Sequence, residues 1–277
     1  MIPFLDFGGD GPPLHLAHAN GFPPAAYAPL AGTLTPHYHV FSMLTRPLWP
    51  DTPPDGLSSW DALTDDFLKF LDERGMPRLV GVGHSLGAIT TLLAALRRPD
   101  LFHALILLDP VLFPPLMSAA WGAFKRVGLG HRVHPLVGST QRRRRVFESV
   151  DLMFERYRRA PVFSRMDDPA LRVYVESLTR PRPDGQVELN YSPEWEVKIY
   201  VTAPHDVWSR LKNLRGPLLV VWGQQSDTFF PAAARALKKI HPEATYHGIP
   251  NAGHLVPLEK PREVGEVIRA FLSKIEF

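Results

Sequence analysis

Hydrophobic residues recur along the chain in two alternating patterns. Short apolar runs bounded by turn residues predict strands, and longer segments with apolar residues at helical spacing predict helices. The two patterns alternate through residue 110 and again from residue 206 onward. This alternation predicts the α/β class, with a mostly parallel central sheet flanked by helices. The predicted strands cover residues 2–7, 14–19, 38–44, 78–82, 104–108, 217–222 and 245–249.

Residues 111–205 interrupt this alternation. They contain no run typical of a buried strand, and their pattern predicts helices over 116–127, 141–159 and 169–179. The segment carries 15 Lys and Arg against 10 Asp and Glu, and it holds 11 of the 29 aromatic residues. We therefore predict a core formed by residues 1–110 and 206–277, with a helical cap inserted at 111–205 over the edge of the sheet. The alternative is that the aromatic residues only form a small core of the insertion itself.

One strand-to-helix junction carries the pattern of a nucleophilic site. The sequence GHSLG at 83–87 follows the apolar run at 78–82 and precedes an amphipathic helix. A G-x-S-x-G turn at such a place is typical of a nucleophile elbow, whose strained backbone presents the hydroxyl of Ser85. The N–H of Leu86 then points above Ser85 and can stabilise an oxyanion. A glycine-rich turn with a capping serine has the same pattern, so the chain must also supply a base and an acid.

His254 is the candidate base among 12 histidines. It lies in the loop at 250–255 (the histidine loop), between the last predicted strand and the last helix, from which its side chain can reach Ser85. A serine hydroxyl becomes a strong nucleophile only when a base of this kind takes its proton.

Two aspartates at strand ends are candidates to orient the histidine. Asp109 follows the strand after the elbow, and Asp227 follows the strand at 217–222. Either keeps the chain order Ser, acid, His, and either can instead be an ordinary turn residue. The loop HANGFP at 18–23 (the 18–23 loop) follows an early strand, so the N–H of Phe22 is the candidate for a second oxyanion donor.

Together these segments resemble the α/β-hydrolase superfamily, in the branch with a helical cap after the sixth strand. The matching segments are HANGFP at 18–23, GHSLG at 83–87, GQQSD at 223–227 and NAGH at 251–254. Since serine stands at position 85, the chain differs from the dehalogenases and epoxide hydrolases of this group, which use aspartate there.

The resemblance implies a serine hydrolase that cleaves carboxylic esters or similar acyl compounds through an acyl-enzyme. It assigns Ser85, Asp227 and His254 to the catalytic triad, with Asp227 preferred to Asp109 because the family more often places its acid after the strand that follows the cap. Phe22 and Leu86 become the oxyanion donors, and no cofactor or metal is required. C–C bond hydrolysis, lactone hydrolysis, cofactor-free haloperoxidase activity and a non-catalytic ligand receptor remain as alternatives.

Composition narrows the possible partners. The formal charge of +3 does not suggest nucleic acid, and the absence of cysteine excludes disulfides and thiol catalysis. The N-terminal residues do not resemble a signal peptide, and no apolar run reaches the length of a membrane span. We expect a cytoplasmic protein with a small-molecule acyl substrate, whose oligomeric state is open.

Four consecutive arginines, Arg142 to Arg145, fall within a predicted helix. On a helix they would point in all directions, so they do not form one nucleic-acid-binding stripe. We expect them to be largely solvated, with the alternative that one reaches inward to pair with an anionic group of the substrate.

Overall fold

The structure is a computed structural model that describes residues 1–276. Its strands, in chain order, are β1 (Phe4–Gly8), β2 (Pro13–Ala17), β3 (His39–Met43), β4 (Leu79–His84), β5 (Phe102–Leu108), β6 (Val146–Phe147), β7 (Thr179–Pro181), β8 (Val187–Leu189), β9 (Leu218–Gly223) and β10 (Thr245–Ile249). Its α-helices are α1 (Ala28–Leu34), α2 (Trp60–Glu73), α3 (Leu86–Arg97), α4 (Pro115–Arg126), α5 (Gly130–Val133), α6 (Val137–Gln141), α7 (Val150–Arg158), α8 (Asp168–Ser177), α9 (Pro193–Thr202), α10 (Val207–Leu211), α11 (Pro231–Ile240), α12 (Val256–Glu259) and α13 (Pro261–Leu272).

The main sheet has seven strands in the order β1-β3-β2-β4-β5-β9-β10. Neighbouring strands are parallel, except that β1 runs antiparallel to β3 at one edge. The predicted α/β class is therefore confirmed. Near their carboxyl ends, His84 of β4 pairs with Leu108 of β5, and Leu108 pairs with Val221 of β9. The residues that follow these three strands consequently meet at one edge of the sheet, where sites form in parallel sheets.

The centre of the sheet is covered on both faces. All residues of β4 are buried, and in β5 only His103 is partly exposed, as expected for parallel strands with helices on both sides. Helix α2 shows how the flanking helices attach, because Trp60, Leu63 and Phe67 share its buried face. Burial of each such side chain contributes about 2 kcal/mol.

Residues 111–205 lie between β5 and β9 and contain more than helices. The strands β6, β8 and β7 form a small antiparallel sheet in that order, which the sequence pattern did not predict. The helix predicted at 141–159 is confirmed only in its second part, as α7: α6 ends at Gln141, β6 pairs with β8, and α7 begins at Val150. Strands of two or three residues are too short to leave a periodic pattern, so they cannot be predicted from the spacing of hydrophobic residues.

Candidate active site

Ser85 lies in a strained turn between β4 and α3. Its backbone φ is +55°, a value that residues other than glycine rarely adopt. The flanking glycines permit the turn: a Cβ on Gly83 would lie 2.3 Å from the carbonyl oxygen of Gly87, and one on Gly87 would lie 2.2 Å from that of Ala17. No side chain tolerates such approaches, so both positions require glycine. The junction thus has the geometry that the motif predicts.

The hydroxyl of Ser85 is joined to a buried carboxylate through His254. The Nε2 atom of His254 lies 3.0 Å from the Oγ of Ser85, and its Nδ1 lies 2.7 Å from the Oδ1 of Asp109. Both are hydrogen-bond distances. Because a carboxylate accepts from Nδ1–H, the neutral ring has an unprotonated Nε2 that can accept from the serine hydroxyl. The three groups are therefore arranged as nucleophile, base and orienting acid.

The carboxylate beside His254 belongs to Asp109, so the prediction that Asp227 makes this contact is wrong. Asp227 is exposed to solvent. The loop after β9 is tied to β10 and to the histidine loop, because the N–H groups of Gln224 and Gln225 donate to carbonyl groups there, both at 2.9 Å. The residue that precedes Asp227 hydrogen-bonds Asp109, while Asp227 itself stays in solvent. The sequence pattern does not indicate which side chain of this loop reaches the site.

Three donors hold the carboxylate of Asp109, which is completely buried. The Oδ1 atom accepts from the hydroxyl of Ser226 at 2.7 Å as well as from His254, and Oδ2 accepts from the N–H of Gly223 at 3.0 Å. Burial of a carboxylate is costly unless hydrogen bonds satisfy its oxygens. The loop that was expected to carry the acid thus supplies two of the donors that orient it.

His84 joins the two loops beside Ser85, a role that sequence reasoning missed. Its Nε2 donates to the carbonyl oxygen of His254 at 2.9 Å, and its Nδ1 accepts from the hydroxyl of Tyr27 at 2.6 Å. The hydroxyl oxygen of Tyr27 accepts in turn from the N–H of Ala19 at 3.0 Å. Burial, and to a lesser extent the charge of His254, lowers the pKa of His84 well below its ordinary value, so this ring is neutral. The only signal in the sequence was its place next to Ser85, the predicted nucleophile.

The two predicted oxyanion donors differ in whether their N–H groups already donate a hydrogen bond. Leu86 begins α3, and N–H groups in the first turn have no acceptor within the helix. The N–H of Phe22 instead donates to the carbonyl oxygen of Ala19 at 3.2 Å, across a turn in which Gly21 has a φ of +76°. In this conformation the Leu86 donor is available, and the Phe22 donor is engaged in a long hydrogen bond.

The insertion contacts the loop that carries Phe22 through two tyrosines. The hydroxyl of Tyr174 donates to the carbonyl oxygen of Gly21 at 3.2 Å, and its ring stacks on Phe22 with centroids 4.6 Å apart. The hydroxyl of Tyr191 donates to the Oδ1 of Asn20 at 2.9 Å. Both tyrosines are fully buried. The conformation of the loop therefore depends on the insertion.

A buried ion pair between Arg143 and Glu196 lies behind these tyrosines. The Nη2 of Arg143 also donates to the hydroxyls of Tyr157 at 2.8 Å and Tyr174 at 3.3 Å. Glu196 packs against the 18–23 loop, since a Cβ on Gly21 would lie 3.1 Å from its Cδ. Burial raises the pKa of Glu196, opposed by the charge of Arg143. Of the four consecutive arginines, Arg143 is the one that points inward, toward this carboxylate.

The aromatic residues Trp121 and Phe154 are held by other residues of the insertion. The indole N–H of Trp121 donates to a backbone carbonyl at the end of α9 at 3.0 Å, and its ring lies edge-on to His134. Phe154 is 9% exposed and lies 4.4 Å from the guanidinium of Arg172. These contacts favour the view that many of the aromatic residues form a core of the insertion.

Two further histidines near the site are buried and neutral. Burial lowers the pKa of His15 to about 3 and that of His18 to about 4. The Nε2 of His15 accepts from the N–H of Met43 at 3.0 Å, and the Nε2 of His18 accepts from the Thr45 hydroxyl at 3.1 Å. Within residues 1–276, no group of three or more His, Asp or Glu side chains is arranged to hold a metal ion.

Comparisons with known proteins identify the family of the chain. A profile of the alpha/beta hydrolase family matches residues 16–267. The mouse sn-1-specific diacylglycerol lipase ABHD11 is 26% identical over 230 residues, which cover 80% of this chain and 68% of the lipase. The 2-(acetamidomethylene)succinate hydrolase of Mesorhizobium japonicum is 24% identical over 267 residues, which cover 96% of this chain and 89% of that protein.

A solved structure extends the likeness to the whole fold. The crystal structure of E-2-(acetamidomethylene)succinate hydrolase matches with a TM-score of 0.80 at 20% identity, and the match covers 98% of this chain and 95% of the other. At that identity the likeness concerns the fold alone. The family profile, however, spans most of the sequence, from β2 into α13. The chain belongs to the alpha/beta hydrolase family.

Proposed function

We propose that the protein is a serine hydrolase that cleaves carboxylic esters or similar acyl compounds. The observation that carries the proposal is the continuous hydrogen-bonded series from Ser85 through His254 to the buried Asp109. The strained backbone of Ser85 adds support, because strain of about 1–3 kcal/mol persists only where the surrounding structure enforces it. Two relatives named as a lipase and a hydrolase point to the same reaction class.

In the proposed reaction, His254 takes the hydroxyl proton of Ser85 as the oxygen attacks the carbonyl carbon of the substrate. Asp109 stabilises the resulting imidazolium and keeps the ring oriented. The imidazolium then gives its proton to the departing alcohol, and the acyl group stays on Ser85 as an ester. A water molecule, deprotonated by His254, attacks this ester and releases the carboxylic acid, which restores the free serine.

The negative charge that develops on the carbonyl oxygen requires hydrogen-bond donors directed at it. The N–H of Leu86 is one, and the positive end of α3 supports it. We assign the second to Phe22, whose N–H would exchange its bond to Ala19 for one to the oxyanion. A neutral hydrogen bond contributes only about 1 kcal/mol net, whereas one oxyanion donor is worth about 3 kcal/mol, so the exchange is favourable.

We further propose that residues 111–205 act as a cap that shapes the substrate site over the core formed by 1–110 and 206–277. The contacts of Tyr174 and Tyr191 with the 18–23 loop support this role. A lactone is an internal ester and would follow the same steps. In cleavage of a C–C bond by the same triad, the departing group would be a carbon stabilised as an enolate, and the proton would go to that carbon instead of to an alcohol oxygen. The alignment of a strained serine with a histidine counts against a non-catalytic receptor, and labelling of the serine would separate the two.

Labelling with a fluorophosphonate probe, followed by a panel of p-nitrophenyl esters of graded chain length, tests the proposal. We expect Ser85 to be labelled and Ser85→Ala to lose both the label and at least about 10³-fold in kcat/KM while remaining folded. The matched control is Ser58→Ala, which changes an exposed serine and should retain both. Retention of label and turnover by Ser85→Ala would exclude this mechanism.

A further inference from the structure

Helix α4 turns its apolar side toward solvent. One side of the helix and its C-cap is formed by six exposed apolar residues, which we call the α4 face: Leu116, Met117, Ala120, Ala123, Phe124 and Val127. Leu116 is 83% exposed and Val127 is 67% exposed. The opposite side contacts the protein through buried Gly122 and through Lys125, whose Nζ donates to backbone carbonyls at the end of α9. Helices at the surface of a globular protein ordinarily have the reverse orientation.

The exposed apolar surface continues beyond α4. Helix α5 contacts α4, and Val133 and Leu136 near it are 41% and 47% exposed. Apart from Met1, the large hydrophobic residues that are exposed elsewhere in residues 1–276 are Leu152 and Val162. Exposed apolar residues are therefore concentrated on one part of the insertion. Contiguous apolar patches of this kind mark interaction sites.

The segment that forms the α4 face and the surface beside it carries charges of one sign. Residues 111–147 contain seven Lys and Arg and no Asp or Glu. Arg126, Arg132 and Arg142 are exposed, and none of them forms an ion pair with a carboxylate of residues 1–276. Free cations beside an exposed apolar face are complementary to a surface that is apolar and negatively charged.

We propose that the α4 face docks on an anionic lipid surface. In this arrangement α4 lies in the plane of the headgroups, with Leu116, Phe124 and Val127 inserted and the free arginines among the phosphates. None of the helices in residues 1–276 has the length and apolar character that crossing a bilayer requires, and α4 has only 12 residues. It is about 18 Å long, shorter than the hydrocarbon core of about 30 Å, so it lies on the membrane.

A second copy of the chain fits the surface less well. A two-fold interface would place the same α4 face on both subunits and bring the arginines of both copies together. No carboxylate in residues 111–147 would offset that repulsion. Charge complementarity therefore favours lipid phosphate over a second copy of the chain as the partner of the α4 face.

Co-sedimentation of the full chain with sucrose-loaded vesicles tests the proposal. We expect binding to vesicles of phosphatidylcholine mixed with phosphatidylglycerol, about tenfold weaker binding to phosphatidylcholine alone, and loss of binding as salt rises. The triple variant Leu116→Ser/Phe124→Ser/Val127→Ser should bind the mixed vesicles at least about tenfold more weakly. Replacing Arg126, Arg132 and Arg142 with Gln should remove the preference for the mixed vesicles.

The matched control is Leu152→Ser/Val162→Ser, which removes comparably exposed side chains elsewhere and should bind as the unaltered protein does. Equal binding of this control and the triple variant, or no binding to the mixed vesicles, would overturn the proposal. Loss of a dimer in the triple variant, measured by sedimentation velocity without lipid, would assign the surface to a second copy instead. Turnover of a short soluble ester by the triple variant reports on the proposed hydrolysis separately.

Discussion

The hydroxyl of Tyr27 lies 2.6 Å from the Nδ1 of His84, inside the core beside Ser85. This contact joins two loops that are far apart in sequence, because Tyr27 also binds the N–H of Ala19 and His84 also binds the carbonyl of His254. A continuous series of buried hydrogen bonds therefore connects His254 to the 18–23 loop. Neutral histidine suits this position, since it donates from one nitrogen and accepts at the other.

We expect His84→Leu to lower kcat by about 10²-fold with little change in KM, because small displacements of a catalytic group cost this much. His84→Gln retains a donor for the His254 carbonyl and should recover part of the loss. Steady-state kinetics on a p-nitrophenyl ester, with thermal unfolding of each variant, makes the comparison. If the two variants are equally impaired in kcat and equally stable, His84 does not position His254 through this bond.

Asp109→Asn and Asp227→Asn form a matched pair of isosteric changes. Asparagine at 109 favours the wrong tautomer of His254, so turnover should fall by about 10⁴-fold. Asp227→Asn changes an exposed side chain and should leave turnover within about twofold, since surface changes of this kind have small effects. Measurement of kcat/KM for both variants decides which aspartate orients His254. The opposite result would restore Asp227 as the acid.

Removal of one partner of the Arg143–Glu196 ion pair should lower the stability of the protein. Arg143→Met leaves a buried carboxylate without its cation and should lower the free energy of unfolding by about 3–5 kcal/mol. Glu196→Gln added to that variant removes the uncompensated charge and should restore much of the loss. Urea unfolding of the single and double variants measures the effect. A double variant that is no more stable than the single one would contradict this account.

Stability should fall as the solution becomes acidic, because of His15 and His18. Their folded pKa values of about 3 and 4 lie below the ordinary value of 6.5, so the unfolded chain binds protons first. Above pH 6.5 both histidines are neutral in the folded and the unfolded chain, and the protein keeps its full stability. As the pH falls from 6.5 toward 4, the unfolded chain takes up their protons, and the free energy of unfolding falls by about 1.4 kcal/mol per pH unit for each histidine. Urea unfolding between pH 7 and pH 5 measures this slope. His15→Leu should make the slope shallower, and an unchanged slope would exclude a contribution from His15.

Much of the main sheet could be predicted because its strands leave strong patterns. The runs of β4, β5 and β9 are apolar apart from one histidine in each of the first two, and the turn at Ser85 is specified by glycines that no other residue replaces. These signals are local, so they can be read from a single sequence. Ser85 and His254 were found in this way, and the structure brings them together.

The features that sequence reasoning missed depend on contacts between distant segments. Asp109 and Asp227 both follow strands, and they are distinguished by burial and by the contact of Asp109 with His254, both of which are tertiary features. The inward turn of Arg143 depends on Glu196, which lies 53 residues away in sequence. The pairing of β6 with β8 likewise follows from tertiary contacts, since two residues carry no periodicity.

The register of β4 with β5 has a consequence for the geometry of the site. Ser85 and Asp109 each follow a central strand, and the N–H of Ser85 donates to the carbonyl of Leu108 at 3.0 Å. The separation of these two residues is thereby tied to the fixed spacing of about 4.8 Å between neighbouring strands. His254 instead lies in the histidine loop, where His84 binds its carbonyl oxygen. The sheet therefore sets the distance between Ser85 and Asp109, whereas the position of His254 between them depends on side-chain contacts of the loop.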